Sequence, residues 1–95
     1  MTSRFLVHNT PHYERLSNRL LKGHPDFEGV ERSAVEILSV DPQNRTRRNR
    51  IKKLQGVPAG EGQYRLALGR RRFRYDITGH VVELHYSGLR REETY

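Results

Sequence analysis

Residues 63–87, QYRLALGRRRFRYDITGHVVELHYS, contain three segments in which apolar and polar side chains alternate. The segments are residues 63–68, 71–78 and 80–87, and glycines at positions 69 and 79 separate them. Alternation with a period of two is typical of strands that bury one face, and a glycine at each junction is typical of tight hairpin turns. This stretch therefore predicts three consecutive antiparallel strands.

The predicted strands have one apolar and one polar face, because successive side chains of a strand point to opposite sides. The apolar face carries Tyr64, Leu66, Leu68, Phe73, Tyr75, Ile77, Val82, Leu84 and Tyr86. The opposite face carries Arg65, Ala67, Arg72, Arg74, Asp76, Val81, Glu83 and His85. We expect the aromatic residues of the first face to belong to the core rather than to a base-stacking platform.

The residues before this sheet follow a different period. Residues 5–7 predict a short strand that ends at Asn9, and Thr10-Pro11 has the form of a helix N-cap followed by proline at the first helical position. Two stripes of helical spacing follow, one of Tyr13, Leu16, Leu20 and Leu21, the other of Phe27, Val30, Ala34, Ile37 and Leu38. Gly23-His24-Pro25 separates the helices, and Asp41-Pro42 ends the second.

These elements predict a single α+β domain over residues 1–95. An N-terminal strand precedes an antiparallel helical hairpin, which packs on one face of a mainly antiparallel β-sheet. The low apolar content, 34%, suits a sheet with one face open to water. We expect the helices to cover the apolar face and to leave the arginine-rich face open.

Positive charge is concentrated in the middle third of the chain. Residues 45–74 contain 11 lysines and arginines against one acid, Glu61, whereas residues 1–44 and 75–95 each carry a small net negative charge. The densest run lies before the three strands, at Arg45, Arg47, Arg48, Arg50, Lys52 and Lys53. Such a field attracts polyanions, and nucleic acid is the expected partner. The run itself is expected to be a solvated connector that binds RNA by charge alone.

Composition argues against several other classes of protein. The chain has no cysteine, and no His/Asp/Glu cluster has metal-ligand spacing, so we expect neither a disulfide framework nor a metal or organic cofactor. Gly60-Glu61-Gly62 lacks the Gly-Lys-Ser/Thr ending of a phosphate loop. No apolar run approaches the roughly 20 residues that span a bilayer. We expect a cytoplasmic protein without membrane contact.

The arginine-rich face predicts phosphate chemistry. A metal-independent ribonuclease uses the RNA 2′-OH as nucleophile, and it needs a base, cations for the phosphorane and an acid for the leaving oxygen. Arg65 and Arg72 fit the cationic role, and His85 on the same face fits that of base or acid. Tyr95 can stack on a base or share in proton transfer. The alternative for His85 is an ordinary solvated side chain. Arg70 and Arg71 lie at a turn, and the alternative for them is that they face only water.

Several segments together resemble the RelE/ParE superfamily of type II toxin–antitoxin toxins. They follow the predicted strand and helical hairpin, and they read KLQG (53–56), YRLALG (64–69), RFRYDI (72–77) and RREETY (90–95). The resemblance covers essentially the whole chain and implies a RelE-like fold. RelE-like members are ribosome-dependent endoribonucleases that cut mRNA, whereas ParE-like members inhibit DNA gyrase.

Within the RelE-like branch, the residues that act on mRNA correspond here to Arg65, Arg72, Arg90 or Arg91, and Tyr95. The resemblance favours this branch because the sequence ends in tyrosine. We also expect RNA contacts from Arg74 and Arg91, beside the basic run. One position departs from the pattern, since Ala67 stands where some RelE-like toxins carry a second lysine. The base for the 2′-OH would then be Tyr95 or His85.

The function expected from the sequence is that of a toxin that cleaves mRNA on the ribosome and inhibits translation. The alternatives are a ParE-like gyrase inhibitor and a catalytically silent RNA-binding homologue. The expected partners are the ribosome with its mRNA and a cognate antitoxin whose acidic, partly disordered tail covers the arginine face.

Overall fold

The computed structural model describes residues 4–90. The chain forms strand β1 (Leu6–Asn9), helices α1 (Pro11–Gly23) and α2 (Phe27–Val40), and strands β2 (Arg50–Lys53), β3 (Tyr64–Leu68), β4 (Arg71–Thr78) and β5 (Val81–Leu89). The five strands make one sheet in the order β1-β5-β4-β3-β2. Strand β1 pairs with β5 in parallel, and the other neighbours are antiparallel. The predicted α+β architecture is confirmed.

The start and end signals of α1 lie where the sequence predicts them. The Thr10 hydroxyl accepts a hydrogen bond from the Tyr13 N–H at 3.2 Å, and Pro11 follows at the first helical position. Thr10 Oγ1 also donates to the Leu84 carbonyl at 2.8 Å, so the same cap fixes the helix to β5. Capping of this kind satisfies an N–H that the helix itself leaves unpaired. The break at residues 23–25 and the end of α2 before Asp41 are confirmed.

The core lies between the two helices and one face of the sheet. Its fully buried members are Tyr13, Phe27, Ala34, Leu38, Leu66, Phe73, Tyr75, Val82 and Leu84. The Phe27 and Phe73 rings stack with centroids 6.1 Å apart, which joins α2 to β4. The buried Tyr75 hydroxyl donates to the Pro42 carbonyl at 2.7 Å, so its polar atom has a partner. The apolar faces of the predicted strands are therefore the core, with one exception.

The exception is Tyr86, which was expected on the apolar face and lies on the opposite one. A β-bulge interrupts the pairing of β4 with β5, so that Tyr75 pairs with Leu84 but Arg74 pairs with Tyr86. The extra residue is His85, and beyond it Ser87 rather than Tyr86 pairs with the core residue Phe73. A bulge places two residues of one strand opposite one residue of its partner and so changes which side chains share a face.

The cations of the basic run at residues 45–53 are exposed, as the sequence predicts, but the second half of the run is a strand and not a connector. Residues 50–53 form β2, the edge strand that pairs antiparallel with β3. The preceding loop is held by Asp41, whose carboxylate accepts from the Arg45 N–H, the Thr46 N–H and the Thr46 hydroxyl. Asn44 closes the loop through two hydrogen bonds to the Asn49 backbone. The cations of the basic run are exposed, but their backbone is held by these hydrogen bonds and by the pairing of β2 with β3.

Within residues 4–90, neither helix is both long enough and apolar enough to cross a membrane.

Candidate nucleic-acid interface

The face of the sheet that the helices leave uncovered carries two rows of side chains across neighbouring strands. The first row contains Lys52 of β2, Arg65 of β3, Arg74 of β4 and Tyr86 of β5, each opposite the next. The second row contains Arg50, Ala67, Arg72 and Gly88 in the same strand order. We call these two rows the cationic face. Five of its eight members are lysine or arginine. Strand pairing thus brings charges that are spread over residues 50–74 of the sequence together on one surface.

A groove of about 290 Å³ opens on this face at the β2 edge. Its described lining includes four cations, Arg50, Lys52, Arg65 and Arg72, together with Ala67 and Ile51, and no acid. Ala67 stands between Arg50 and Arg72 in the second row, and its short side chain leaves the space that the groove occupies. Neighbouring strands lie about 4.8 Å apart and alternate residues of a strand about 6.6 Å apart. Cations at these spacings can contact adjacent phosphates of one nucleic-acid strand.

Arg72 is buried, which differs from the sequence-based expectation of an exposed side chain. It keeps only 5% of its surface exposed, although it lies on the predicted face. Its Nη1 donates to the carbonyls of Gly69 at 2.8 Å and Arg71 at 2.9 Å. These bonds hold the guanidinium against the turn between β3 and β4. Arg72 therefore contributes to the fold as well as to the charge of the groove.

Arg74 is also held by the backbone of a neighbouring loop. Its Nε and Nη2 both donate to the Gly62 carbonyl, at 3.1 and 3.0 Å. Gly62 has φ +85°, and a Cβ there would lie 2.9 Å from the Arg74 Cβ, so only glycine fits without displacement. The pair of hydrogen bonds orients the guanidinium, which reduces the entropy that a phosphate contact would cost.

The glycine-containing loop before β3 binds a carboxylate of the protein itself. Asp76 accepts hydrogen bonds from the N–H groups of Gly60, Gly62 and Gln63 at 2.8, 3.1 and 2.8 Å. Burial acts to raise the pKa of Asp76, but these N–H donors and the nearby His85 outweigh it and hold that pKa below its ordinary value. The loop is therefore an anion-binding nest that is already filled, consistent with its rejection as a phosphate loop.

His85, the candidate base or acid, lies against this carboxylate. Its Nε2 is 2.9 Å from Asp76 Oδ2, and its side chain is only 19% exposed. Nε2 makes no hydrogen bond of acceptable geometry to any residue between 4 and 90, so the contact is electrostatic in character. The alternative of a solvated side chain is wrong for His85. The bulge places it beside Tyr86, at the border of the cationic face.

The remaining candidate residues are spread over the molecule. Arg45, Arg47 and Arg48 project from the loop between α2 and β2 and are exposed. Lys53 lies on the helix-covered side of the sheet, where its Nζ sits 5.7 Å from the centre of the Tyr64 ring. Arg90 follows β5 directly, and its N–H donates to the Arg70 carbonyl at 2.8 Å. Arg91 and Tyr95 lie outside the described residues.

The described part of the chain has no group of three His, Cys, Asp or Glu residues that could hold a metal ion.

Two features of the structure are not predicted by the sequence. Arg50 and Lys52 were expected to be connector cations, and the only local signal that they share a face is Ile51 between them. Arg71 was expected to face water at a turn, but it is 5% exposed, with its guanidinium 5.3 Å from the centre of the Phe27 ring. The sequence does not predict this burial, because arginine side chains are seldom buried.

Comparison of the chain with protein-family models, with curated proteins and with solved structures finds no match in any of the three. The RelE/ParE resemblance thus depends on the residues quoted for it, and function has to be argued from the cationic face.

Proposed function

We propose that the cationic face binds single-stranded RNA and that the protein is a RelE-like toxin that cleaves mRNA on the ribosome. The observation that carries the proposal is the first row, in which Lys52, Arg65 and Arg74 stand directly opposite one another. Cations on three neighbouring strands are spaced so that they can contact successive phosphates of one nucleic-acid strand. This spacing supports phosphate binding.

The cleavage step is supported by the groove and by the resemblance together. Arg65 and Arg72, two of the cations that the resemblance assigns to mRNA, both line the groove. Cations fixed on strands can stabilise the charge that develops on a phosphorane, and a bound ribosome would supply the alignment of the 2′-OH. The protein would act without a cofactor.

A second candidate function is RNA binding without cleavage. The position of His85 favours it, because its side chain is only 19% exposed, its Nε2 is buried beside Asp76, and His85 is not among the described residues that line the groove. A general base must lie within hydrogen-bond reach of the proton that it takes. Ala67 on the floor of the groove supplies no titratable group in its place. In this candidate the protein blocks translation by occupying RNA or the ribosome.

Primer extension on mRNA in a reconstituted translation reaction separates the two candidates. New 5′ ends that appear only when protein and ribosomes are both present support the toxin. Inhibited translation with intact mRNA supports binding alone. A gyrase supercoiling assay, in which we expect no inhibition, tests the ParE-like alternative in parallel.

The RNA-binding surface is tested by the salt dependence of affinity for a single-stranded RNA. Replacing Arg50 and Lys52 with glutamine should reduce the slope of log K against log salt by about 1.4, because each phosphate contact on a single strand contributes about 0.7. The matched control replaces Arg19 and Lys22 of α1, both exposed, and should change the slope much less. Equal effects of the two double variants would show that only net charge matters, which contradicts a defined interface.

The proposed partner in the cell is an antitoxin with an acidic segment. Such a segment would order along the cationic face and compete with RNA for Arg50 and Lys52. Co-expression with the neighbouring reading frame should give a co-purifying complex that no longer cuts mRNA. A neighbour that neither binds nor restores growth would contradict the toxin–antitoxin assignment.

A further inference from the structure

A second cleft lies on the other side of the molecule, between the start of α2 and the end of the sheet. It encloses about 670 Å³ and is bordered by Asp26, Val30 and Ser33 on the helical side and by Leu68, Arg71 and Leu89 on the sheet side. Leu68, Arg71 and Leu89 stand opposite one another on β3, β4 and β5, on the helix-covered side. The cleft is thus separated from the cationic face by the thickness of the sheet, and none of its lining residues belongs to the groove.

Arg71 is the unusual member of this cleft. Its side chain is 6% exposed, and its nearest carboxylate, Asp26 Oδ1, is 3.9 Å from Nη2, at the outer limit of an ion pair. Its Nη1 is buried and has no hydrogen-bond partner among residues 4–90. The Phe27 ring below the guanidinium supplies a cation–π contact but no hydrogen-bond acceptor. A buried charge with an unmet donor costs free energy that an incoming anion can recover.

Arg71 is surrounded by other arginines and by apolar side chains. Arg70 also lines the cleft, and the exposed Arg90 is joined to the Arg70 backbone by a hydrogen bond of 2.8 Å. Asp26 is the one acid among the described lining residues, and its side chain is 72% exposed and makes no capping hydrogen bond to α2. Val30, Leu68 and Leu89 supply apolar walls from three different elements. A single small anion would leave those walls in contact with water.

We propose that this cleft binds an acidic segment of a partner chain, with one carboxylate on Arg71 and the apolar side chains beside it on Val30, Leu68 and Leu89. A carboxylate pairs with a guanidinium through two parallel hydrogen bonds, and Nη1 offers a donor for such a pair once the side chain turns toward the mouth of the cleft. Further acids of the segment meet Arg70 and Arg90. The site is independent of the proposed RNA function, and a partner bound here leaves the cationic face uncovered.

The test uses the full chain and two labelled pentapeptides, one of alternating leucine and glutamate and one with glutamine in place of glutamate. Binding is measured by fluorescence anisotropy and is located by NMR, through the Arg71 Nε–H signal and the amides of Val30 and Leu68. We expect the acidic peptide to shift these signals and the glutamine peptide to bind at least about tenfold more weakly, since a charge-assisted pair is lost. Acetate, which lacks the apolar part, should bind far more weakly than the peptide.

Two variants assign the binding to the cleft. Arg71→Met removes the charge and should weaken peptide binding at least about tenfold. Ser33→Trp fills the mouth from an exposed helix position, keeps Arg71, and should weaken binding to a similar extent even if Arg71→Met disturbs the fold. Arg50→Gln, in the groove on the other face, should leave the cleft signals and their response unchanged.

Several results would overturn the proposal. Shifts confined to residues of the cationic face, or equal binding of the acidic and glutamine peptides, would show that the cleft does not select an acidic segment. Acetate binding as tightly as the peptide would identify a small-anion site instead. Failure of RNA cleavage would leave all of these measurements unaffected, so the two proposals fail separately.

Discussion

The imidazole of His85 lies against the carboxylate of Asp76, with Nε2 2.9 Å from Oδ2. The same carboxylate accepts three backbone N–H groups of the loop that precedes β3. The bulged residue of β5, the centre of β4 and this loop are therefore joined at one buried anion. His85 belongs to a network that positions the border of the cationic face, which is a different role from that of an exposed proton acceptor.

We expect Asp76→Asn to lower the free energy of unfolding at neutral pH by about 1–3 kcal/mol. The amide has one acceptor oxygen in place of two and adds an NH₂ group close to the loop N–H donors, so buried polar groups lose their partners. Denaturant unfolding followed by circular dichroism measures the change. The control is Glu61→Gln in the same loop, which is exposed and should stay within about 0.5 kcal/mol of wild type.

The lowered pKa of Asp76 also predicts how stability depends on pH. A carboxyl whose pKa is lower in the folded than in the unfolded state stabilises the fold above its unfolded pKa. That stabilisation disappears as the pH falls through the folded-state pKa. Between about pH 5 and pH 2, wild type should therefore lose more stability than Asp76→Asn. Asp41, whose pKa is also lowered, is present in both proteins. Parallel stability curves would contradict the assignment to Asp76.

Arg72→Ala should reduce both activity and stability, since the buried guanidinium bonds to the carbonyls of Gly69 and Arg71. Loss of a transition-state donor typically costs about 2.7–4 kcal/mol in the cleavage step. Loss of the hydrogen bonds should lower the free energy of unfolding by about 1–3 kcal/mol. Arg50→Ala, at the exposed end of the same row, should affect RNA binding without this loss of stability. An unchanged melting temperature for Arg72→Ala would contradict the structural role of its guanidinium.

The contrast between Arg72 and Arg50 illustrates how far the sequence predicts this molecule. Period and capping residues place both helices and the last three strands correctly, because those features depend on local spacing. The first strand, expected at residues 5–7 and ending at Asn9, is also confirmed as Leu6–Asn9. Strand β2 is not predicted, since Ile51 alone supplies its apolar face and its pairing with β3 decides its conformation. The sequence does not predict the bulge at His85, because the apolar residues Val82, Leu84 and Tyr86 alternate through it without a break. Burial of Arg71 and Arg72 depends on tertiary packing that no local pattern encodes.

Gly88 and Gly29 should respond in opposite ways to alanine. A Cβ at Gly88 would overlap the hydroxyl and ring of Tyr86, whereas nothing lies within 4 Å of a Cβ at Gly29 in α2. Gly88→Ala should therefore destabilise the protein by about 1–3 kcal/mol and displace Tyr86 from the cationic face. Gly29→Ala, in the first turn of α2, should stabilise it by about 0.4–1 kcal/mol, because alanine has less conformational entropy than glycine in the unfolded chain. Thermal unfolding of the two variants measures both effects, and a stabilising Gly88→Ala would show that Tyr86 does not lie over that glycine.

Ala67→Lys should increase mRNA cleavage on the ribosome. Ala67 stands between Arg50 and Arg72, so a lysine there would have like charges on both sides. Those charges lower the pKa of an amine, and the neutral fraction can accept the proton of the 2′-OH. A well-placed base contributes at least about 100-fold, so a gain of about 10- to 100-fold is expected for an unoptimised position, rising with pH. Ala67→Met is the control for side-chain volume. Equal rates for the lysine and methionine variants in primer extension would show that a base at position 67 does not increase cleavage, which contradicts the prediction.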